Sequence, residues 1–250
     1  MMSLPKLTEE FIMQDPSIHE SAYNTTCDIA NKMFGLMFHP NIYILLVIKE
    51  LLTNHCRTYL EIGSFCGGSL CTVMQSNFKS TFYAIDTCLD FYMTPKIESI
   101  VQNNFSQYKL QNKSFPQPLE IEECLKKNAQ LFNIHGYSST LIKGDSRSRS
   151  TLTEIYQLSD DGIDLFFIDG GHDYQNVFDD FENYFSLVNP NGVIIFDDYS
   201  MGHLDVVNAV DDICKKYANE LNPIGCIKNI VCPTSNHQYI PCYIIQKNNA

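Results

Sequence analysis

The sequence predicts a doubly wound α/β fold with a mostly parallel sheet, and two observations support this prediction. Short apolar runs that suit buried strands alternate with stretches in which apolar residues recur every three or four positions, as on one face of a helix. The chain has 250 residues, of which 44% are hydrophobic, which is enough for one sizeable core. We therefore expect one domain.

Seven segments are expected to form the strands. Five apolar runs are typical of strands buried on both faces of a parallel sheet: 58–62, 81–85, 139–142, 163–168 and 192–196. The run 163–168 is strongly apolar and is therefore expected to be central. The runs 224–231 and 239–245 are expected to form an antiparallel pair at the end of the sheet.

Helical segments precede and interrupt this series of strands. Residues 1–40 predict short helices, and 42–54 is apolar enough to pack as a helix. We interpret residues 1–56 as a helical N-terminal extension of the same domain, which could act as a lid. Residues 87–137 form an insertion between the second and third strands with the pattern of two helices. The insertion could serve as a lid, as an oligomer contact or as additional packing.

The charge balance makes some classes of binding partner improbable. The chain has 17 Lys and Arg against 29 Asp and Glu, so its net charge is -12, which disfavours nucleic acid and anionic membranes. The ten cysteines form no CxxC pair, and the sequence has no signal-like segment and no apolar run that could span a bilayer. We therefore expect reduced thiols in a soluble cytoplasmic protein.

A glycine-rich loop, EIGSFCGGS at residues 61–69, follows the first strand and opens a helix. Ligands of doubly wound sheets bind at the carboxyl ends of the strands, and glycines there allow close approach of the backbone. Gly63 and Gly67 are four residues apart, unlike the dinucleotide motif, and Glu61 would repel a pyrophosphate. An acid at this place suits a cationic ligand that carries an ammonium and a sulfonium group. A turn that needs glycine only for its backbone angles is the alternative.

Two further acids follow strands near this loop. Asp86 ends the second strand, 18 residues after Gly68, where a carboxylate can accept hydrogen bonds from ribose hydroxyls. Asp145 follows the third strand beside Ser146 and could meet an adenine amino group. For an isolated acid, a solvent-exposed strand end is the simpler explanation.

Acids also follow the fourth and fifth strands: Asp169 after the fourth, and Asp197 with Asp198 after the fifth. If the two strands are neighbours, their ends lie about 5 Å apart. Carboxylates that close repel each other and need protons or a cation, and all-oxygen ligands favour Mg²⁺, Mn²⁺ or Ca²⁺. The alternative is that these acids point into solvent as caps of the strand ends.

His172 lies three residues after Asp169, at the start of a predicted helix. Imidazole can take up a proton near neutral pH, so His172 is a candidate general base. A metal ligand, a helix-capping residue and an inert surface side chain are the other interpretations.

Taken together, these motifs resemble those of class I S-adenosylmethionine-dependent methyltransferases, and among them the metal-dependent O-methyltransferases that include catechol O-methyltransferase. The segments 168–179 and 192–199 also resemble family 24 methyltransferases and macrocin-type sugar O-methyltransferases. The resemblance covers residues 58–200 and is weaker in the N-terminus, the insertion and the C-terminus.

The resemblance implies a Rossmann-like, seven-stranded sheet with a reversed last strand, and residues 57–250 as the methyltransferase domain. It implies that Glu61, Gly63 and Ser69 hold the methionine portion of the cofactor and Asp86 its ribose. It also implies a metal held by Asp169, Asp197 and Asp198. The remaining expected cofactor contacts are Ser64, Phe65, Gly67, Gly68, Asp145, Ser146 and Asp169.

Two departures shape the predicted function. The catechol enzymes have lysine at the position of His172 and asparagine at the position of Asp198. We therefore expect metal-assisted methylation of a hydroxyl on a sugar, polyol or other diol rather than on a catechol, by a chain that could form a homo-oligomer. The alternatives are a metal-independent methyltransferase and a non-catalytic cofactor- or nucleotide-binding module. The glycine spacing makes a nicotinamide dehydrogenase a distant third.

Overall fold

The computed structural model describes residues 4–111, 117–231 and 238–249, and the strands of this part of the chain form one seven-stranded sheet. The strands are β1 (Thr58–Ile62), β2 (Thr81–Asp86), β3 (Ser139–Lys143), β4 (Ile163–Ile168), β5 (Val188–Phe196), β6 (Leu221–Lys228) and β7 (Tyr239–Lys247). Their order is β3-β2-β1-β4-β5-β7-β6, and β7 runs antiparallel to both of its neighbours. The predicted fold class and its reversed last strand are confirmed.

The sixth strand differs from the prediction in its position along the chain. We expected residues 224–231, whereas β6 begins three residues earlier and ends at Lys228. Residues 221–223 lie outside the predicted strand, and Pro223 among them is unusual inside strands, as is Gly225, which the prediction included. The β6–β7 ladder accommodates them at a shift of register between the two residues.

Helices cover both faces of the sheet. They are α1 (Glu9–Met13), α2 (Pro16–Lys32), α3 (Tyr43–Leu52), α4 (Gly68–Val73), α5 (Pro95–Gln107), α6 (Ile121–Phe132), α7 (Arg149–Leu158), α8 (Tyr174–Tyr184) and α9 (Leu204–Lys216). The expectation of short helices before residue 40 is wrong for α2, which has 17 residues. Asp15 caps its N-terminus by accepting a hydrogen bond from the Ser17 amide, and Pro16 occupies its first turn.

Strand residues alternate between two apolar cores. Tyr59 and Phe167 pack on one face with α2 to α6, so the N-terminal helices and the insertion share a single core with the sheet. Leu60 and Phe166 point to the other face, where α7, α8 and α9 cover the sheet. In the part of the chain that the structure describes, no helix combines the length and the apolar character needed to cross a bilayer.

The hydrogen-bond ladder continues past the ends of the strands, and this aligns the loops that follow them. The Asp169 amide donates to the Ile62 carbonyl at 2.9 Å, and the Asp197 amide donates to the Ile168 carbonyl at 3.0 Å. Gly63 sits in the same row with φ of 87°, and a Cβ atom there would lie 1.8 Å from the Asp169 carbonyl oxygen. The loops after β1 and β4 can therefore touch only because residue 63 is glycine.

Gly63→Ala is expected to lower the free energy of unfolding by clearly more than backbone strain alone would lower it. A side chain in the left-handed region costs about 1–2 kcal/mol, and here the overlap with Asp169 adds to that cost. Gly225→Ala is the matched control, because Gly225 has φ of 93° and a Cβ there meets no described atom within 4 Å. Denaturant unfolding of both variants measures the difference, and equal losses of stability would contradict the steric argument.

Candidate active site

A cavity of about 850 Å³ opens at the carboxyl ends of β1, β2, β4 and β5, where the strand order reverses. Nine of the eleven expected cofactor residues line it: Gly63, Ser64, Phe65, Gly68, Ser69, Asp86, Asp145, Ser146 and Asp169. The expected base and metal ligands His172, Asp197 and Asp198 line it as well. Glu61 lies buried behind the loop, and Gly67, with φ of 84°, is the N-cap of α4.

The loop after β1 is fixed in position by contacts with segments that are distant along the chain. The Phe65 amide donates to Asp86 Oδ2 at 2.7 Å, although Phe65 itself has φ of 46°. Its ring packs against Phe38 from the N-terminal extension and against Phe91 from the insertion, with centroids 5.8 and 5.2 Å away. Aromatic packing from both added segments therefore supports a strained residue in the glycine loop.

Glu61 is a fully buried acid with an unused oxygen. Tyr59 Oη donates to its Oε2 at 2.6 Å, whereas Glu61 Oε1 and Ser64 Oγ are buried and have no hydrogen-bond partner among the described residues. Burial raises the pKa of the Glu61 carboxyl to about 7. Unpaired buried polar atoms are costly, so this pair fits a ligand that brings its own charged donors and acceptors.

Asp86 is fixed by two backbone donors. The Phe65 amide donates to its Oδ2, and the Cys88 amide donates to its Oδ1 at 2.6 Å. Each carboxylate oxygen can accept a further hydrogen bond. Asp86 therefore presents an immobilised acceptor pair to the cavity, as a ribose diol requires.

The loop after β3 brings Asp145 and Ser146 to the cavity, where Ser146 meets Asp180 of α8. Asp145 is bound by Arg147, whose Nη2 lies 3.1 Å from Asp145 Oδ2, and the hydrogen bonds from Arg147 lower the pKa of Asp145. Ser146 Oγ donates to Asp180 Oδ1 at 2.5 Å. Burial raises the pKa of Asp180 to about 6. Sequence reasoning missed Asp180, although an acid between Val177 and Phe181 on the apolar face of α8 was a usable signal.

The acids that follow β4 and β5 meet at the cavity, as the strand adjacency led us to expect. Burial raises the pKa values of Asp169 and Asp197, and the charges of Asp197 and Asp198 raise that of Asp169 further. Asp197 Oδ1 accepts a hydrogen bond from Cys242 Sγ of β7 at 3.1 Å. Asp198 adopts φ of 56°, a left-handed conformation that Asp tolerates better than most residues.

Three histidines surround these acids. His172 Nε2 lies 3.2 Å from Asp198 Oδ2 and 3.8 Å from Asp169 Oδ1. His203 Nε2 lies 3.8 Å from the same oxygen of Asp198, and its ring meets that of His172 edge to face at 5.0 Å. His39 reaches the acids from the N-terminal extension. Sequence reasoning gave no catalytic or metal-binding role to His39 or His203, and no local motif marks His39, because it lies so far from the acids along the chain.

Donor atoms that could share one cation form two groups among the described residues. One consists of His172, Asp198 and His203, and the other of His39, Asp197 and Asp198, with all atoms of a group within 4.8 Å of one another. Asp198 belongs to both groups. Asp169 belongs to neither, so the set of three acids expected from the sequence stays a prediction.

Comparisons with known proteins agree with this fold. The uncharacterised protein R132 of Acanthamoeba polyphaga mimivirus is 35% identical over 219 residues, which cover 83% of this chain and 85% of that protein. The crystal structure of an O-methyltransferase from Bacillus cereus in complex with SAH has a TM-score of 0.50 and 15% identity, covering 94% of this chain and 92% of that one. The O-methyltransferase NovP has a TM-score of 0.51 and 14% identity, covering 94% and 100%. At these identities the two structures show a shared fold.

The family follows from a direct match to the sequence. The family 24 methyltransferase model, described as a methyltransferase domain, matches residues 60–199, which is more than half of the chain. The matched segment contains the glycine loop, Asp86, Asp169 and the Asp197–Asp198 pair. The chain therefore belongs to this methyltransferase-domain family and is an S-adenosylmethionine-dependent methyltransferase.

Proposed function

We propose that this methyltransferase transfers the methyl group of S-adenosylmethionine to a hydroxyl oxygen of a sugar, polyol or other small diol, and that a divalent cation assists the transfer. The observation that carries the proposal is that one cavity joins the glycine loop to the cluster of Asp197, Asp198 and three histidines. A methyl donor and a cation-bound acceptor could therefore lie side by side, as group transfer requires.

The residues present fit the cofactor. The unpaired Oε1 of Glu61 suits an ammonium group, and Ser64 Oγ can bind a carboxylate of the same ligand. Asp86 can accept from both ribose hydroxyls, and Asp145 with Ser146 lies where an adenine would reach the loop after β3. The roles of Glu61, Asp86 and Asp145 are those expected from the sequence, whereas Ser64 was expected only as a cofactor contact.

The residues also fit a divalent cation. Asp169 and Asp197 hold raised pKa values because they are buried and near other carboxylates, and a cation would relieve this repulsion. When bound here, S-adenosylmethionine supplies the electrophilic methyl group and a cation supplies the charge that lowers the pKa of an acceptor hydroxyl. Mg²⁺, Mn²⁺ and Ca²⁺ are the ions that the acids favour.

His172 is placed to accept the proton of the acceptor hydroxyl. Its Nε2 faces Asp198, whose carboxylate would stabilise the imidazolium that forms. His172→Gln is expected to lower kcat by about 10²–10⁴-fold while cofactor affinity is unchanged. Steady-state kinetics and cofactor titration measure both quantities. His135→Gln, on an exposed site outside the cavity, is the control, and an equal kcat in both variants would remove His172 from the mechanism.

The N-terminal extension, which lies outside the matched region, and the insertion, which lies within it, both line the cavity. Leu36 and Phe38 of the N-terminal extension and Leu89, Phe91 and Ile100 of the insertion line its wall. Leu89 is 74% exposed, so it is available to a ligand. The proposed acceptor therefore contacts an apolar wall as well as the polar cluster, and both added segments shape its specificity.

The proposal is tested by following label from methyl-labelled S-adenosylmethionine into a panel of sugars, polyols and catechols. We expect label in vicinal diols, its loss with excess chelator and its return with an added divalent cation. Turnover that survives excess chelator would identify a metal-independent methyltransferase. Thermal stabilisation by the cofactor without turnover of any acceptor would identify a binding module.

A further inference from the structure

We infer that His39 is a ligand of the divalent cation, together with Asp197 and Asp198, and that this mixed nitrogen and oxygen site selects a first-row transition ion such as Mn²⁺, Fe²⁺ or Co²⁺ over Mg²⁺. The inference rests on the proposed function, because it names the ion that the same carboxylates would hold. It assigns a chemical role to the N-terminal extension.

The donor atoms are already close enough to share an ion. Those of His39, Asp197 and Asp198 lie within 4.8 Å of one another. Two ligands that are each about 2.0–2.3 Å from one ion can be up to about 4.6 Å apart when they lie on opposite sides of it. Small side-chain rotations would therefore be sufficient for coordination.

The backbone around His39 is fixed by neighbouring segments. Asn104 of α5 donates from Nδ2 to the Phe38 carbonyl at 3.0 Å. On the other side, Pro40 and Asn41 are buried in a short 3₁₀ turn, and Asn41 Nδ2 donates to Tyr108 Oη at 3.1 Å. A residue held on both sides presents its imidazole at a defined place, which is what a ligand of a metal site requires.

His39 also has a nitrogen that lacks a partner. Its Nδ1 is buried and accepts or donates no hydrogen bond within the described part of the chain. His39 as a whole is half-buried, and a ring nitrogen shielded from solvent normally has a partner, which can be protein, water or a metal. The free Nδ1 therefore leaves the ring able to turn toward Asp197 and Asp198 without breaking a hydrogen bond within the described part of the chain.

The alternative group is less suited to hold an ion tightly. The side chains of His172 and His203 are 46% and 38% exposed, whereas His39 is half-buried and Asp197 is buried. A site farther from solvent has less competing water and favours coordination by protein atoms. An ion bound by His39, Asp197 and Asp198 also leaves His172 without a metal bond and therefore able to accept a proton.

The ligand types determine which ion is preferred. Mg²⁺ prefers oxygen ligands and keeps several of its waters, whereas imidazole nitrogen binds first-row transition ions more strongly. Replacing one oxygen ligand by the imidazole of His39 therefore shifts the preference from Mg²⁺ toward Mn²⁺, Fe²⁺ or Co²⁺. The sequence suggested Mg²⁺ because it revealed only the acids.

The experiment is calorimetric titration of the metal-free, full-length protein with CoCl₂ and, separately, with MgCl₂. We expect the wild type to bind Co²⁺ at least about tenfold more tightly than Mg²⁺. His39→Gln should weaken Co²⁺ binding by about tenfold or more and Mg²⁺ binding by less than about threefold. His135→Gln is the matched control and should change neither affinity.

A second measurement needs no variant. Long-range ¹H–¹⁵N spectra of histidine-labelled wild type, recorded with and without Zn²⁺ as a diamagnetic ion, should show a large shift of one His39 ring nitrogen. An unshifted His39 signal, or an unchanged Co²⁺ affinity in His39→Gln, would overturn the inference. If Asp198→Asn still weakens binding of both ions in that case, the proposed function survives, whereas failure of both ions to bind the wild type would overturn both.

Discussion

Asp198→Asn is expected to lower the rate of methyl transfer by roughly ten- to a hundredfold, because the amide keeps an oxygen for a cation, as in the catechol enzymes, but removes a charge that holds it. Asp198 is the carboxylate that both groups of possible metal ligands share. Its φ of 56° lies in the region that Asn tolerates as well as Asp, so the substitution removes charge and leaves the backbone conformation intact.

The measurement compares turnover, cation affinity and cofactor affinity in the same preparation. Turnover and cation binding should fall together, while the Kd for S-adenosylmethionine changes little because Glu61 and Asp86 are untouched. Asp160→Asn, in an exposed turn outside the cavity, is the control for removing one negative charge. Full turnover in Asp198→Asn at limiting cation concentration would refute metal assistance through this residue.

Glu61→Gln is expected to weaken cofactor binding and to stabilise the free protein above pH 7. Loss of the charged partner of an ammonium group costs about 1.5–3 kcal/mol, which corresponds to a Kd increase of about 10- to 100-fold. The same carboxylate destabilises the cofactor-free protein, because it is fully buried and its Oε1 lacks a partner among the described residues.

The pH dependence of stability has a definite sign. Folding raises the pKa of Glu61 from 4.5 to about 7, so the folded state binds the proton more tightly than the unfolded state. The contribution of Glu61 to the free energy of unfolding of the wild type therefore falls as pH rises from about 4.5 to 7. The total loss is up to roughly 3 kcal/mol. The Gln variant has no such titration, so its stability relative to wild type should rise across this range and then level off.

Denaturant unfolding of both proteins between pH 4.5 and 8.5, without cofactor, measures this difference. Other buried acids, such as Asp180, titrate in both proteins and largely cancel from the comparison. Glu154→Gln, on the exposed face of α7, should change neither the cofactor affinity nor the pH dependence of the free energy of unfolding. A difference that is flat with pH would show that Glu61 is already ionised in the folded protein.

The cofactor end of the site could largely be predicted from the sequence, because its residues follow consecutive strands. Glu61, Gly63 and Asp86 lie at the carboxyl ends of β1 and β2, and parallel strands bring such positions to one edge. Asp180 was missed because it projects from a helix, where position along the chain does not reveal which strand end it faces.

By itself, the sequence determined the alternation of strands and helices, the sheet with its antiparallel end, and the acids at two strand ends. These properties depend on periodicity and on strand-end position, which are local. Only the tertiary structure decided that His39 and His203 join Asp198, that Glu61 keeps an unpaired oxygen, and which residues of the N-terminal extension and the insertion line the cavity. Those contacts join segments far apart along the chain, and packing of the helices on the sheet, rather than any local pattern, brings them together.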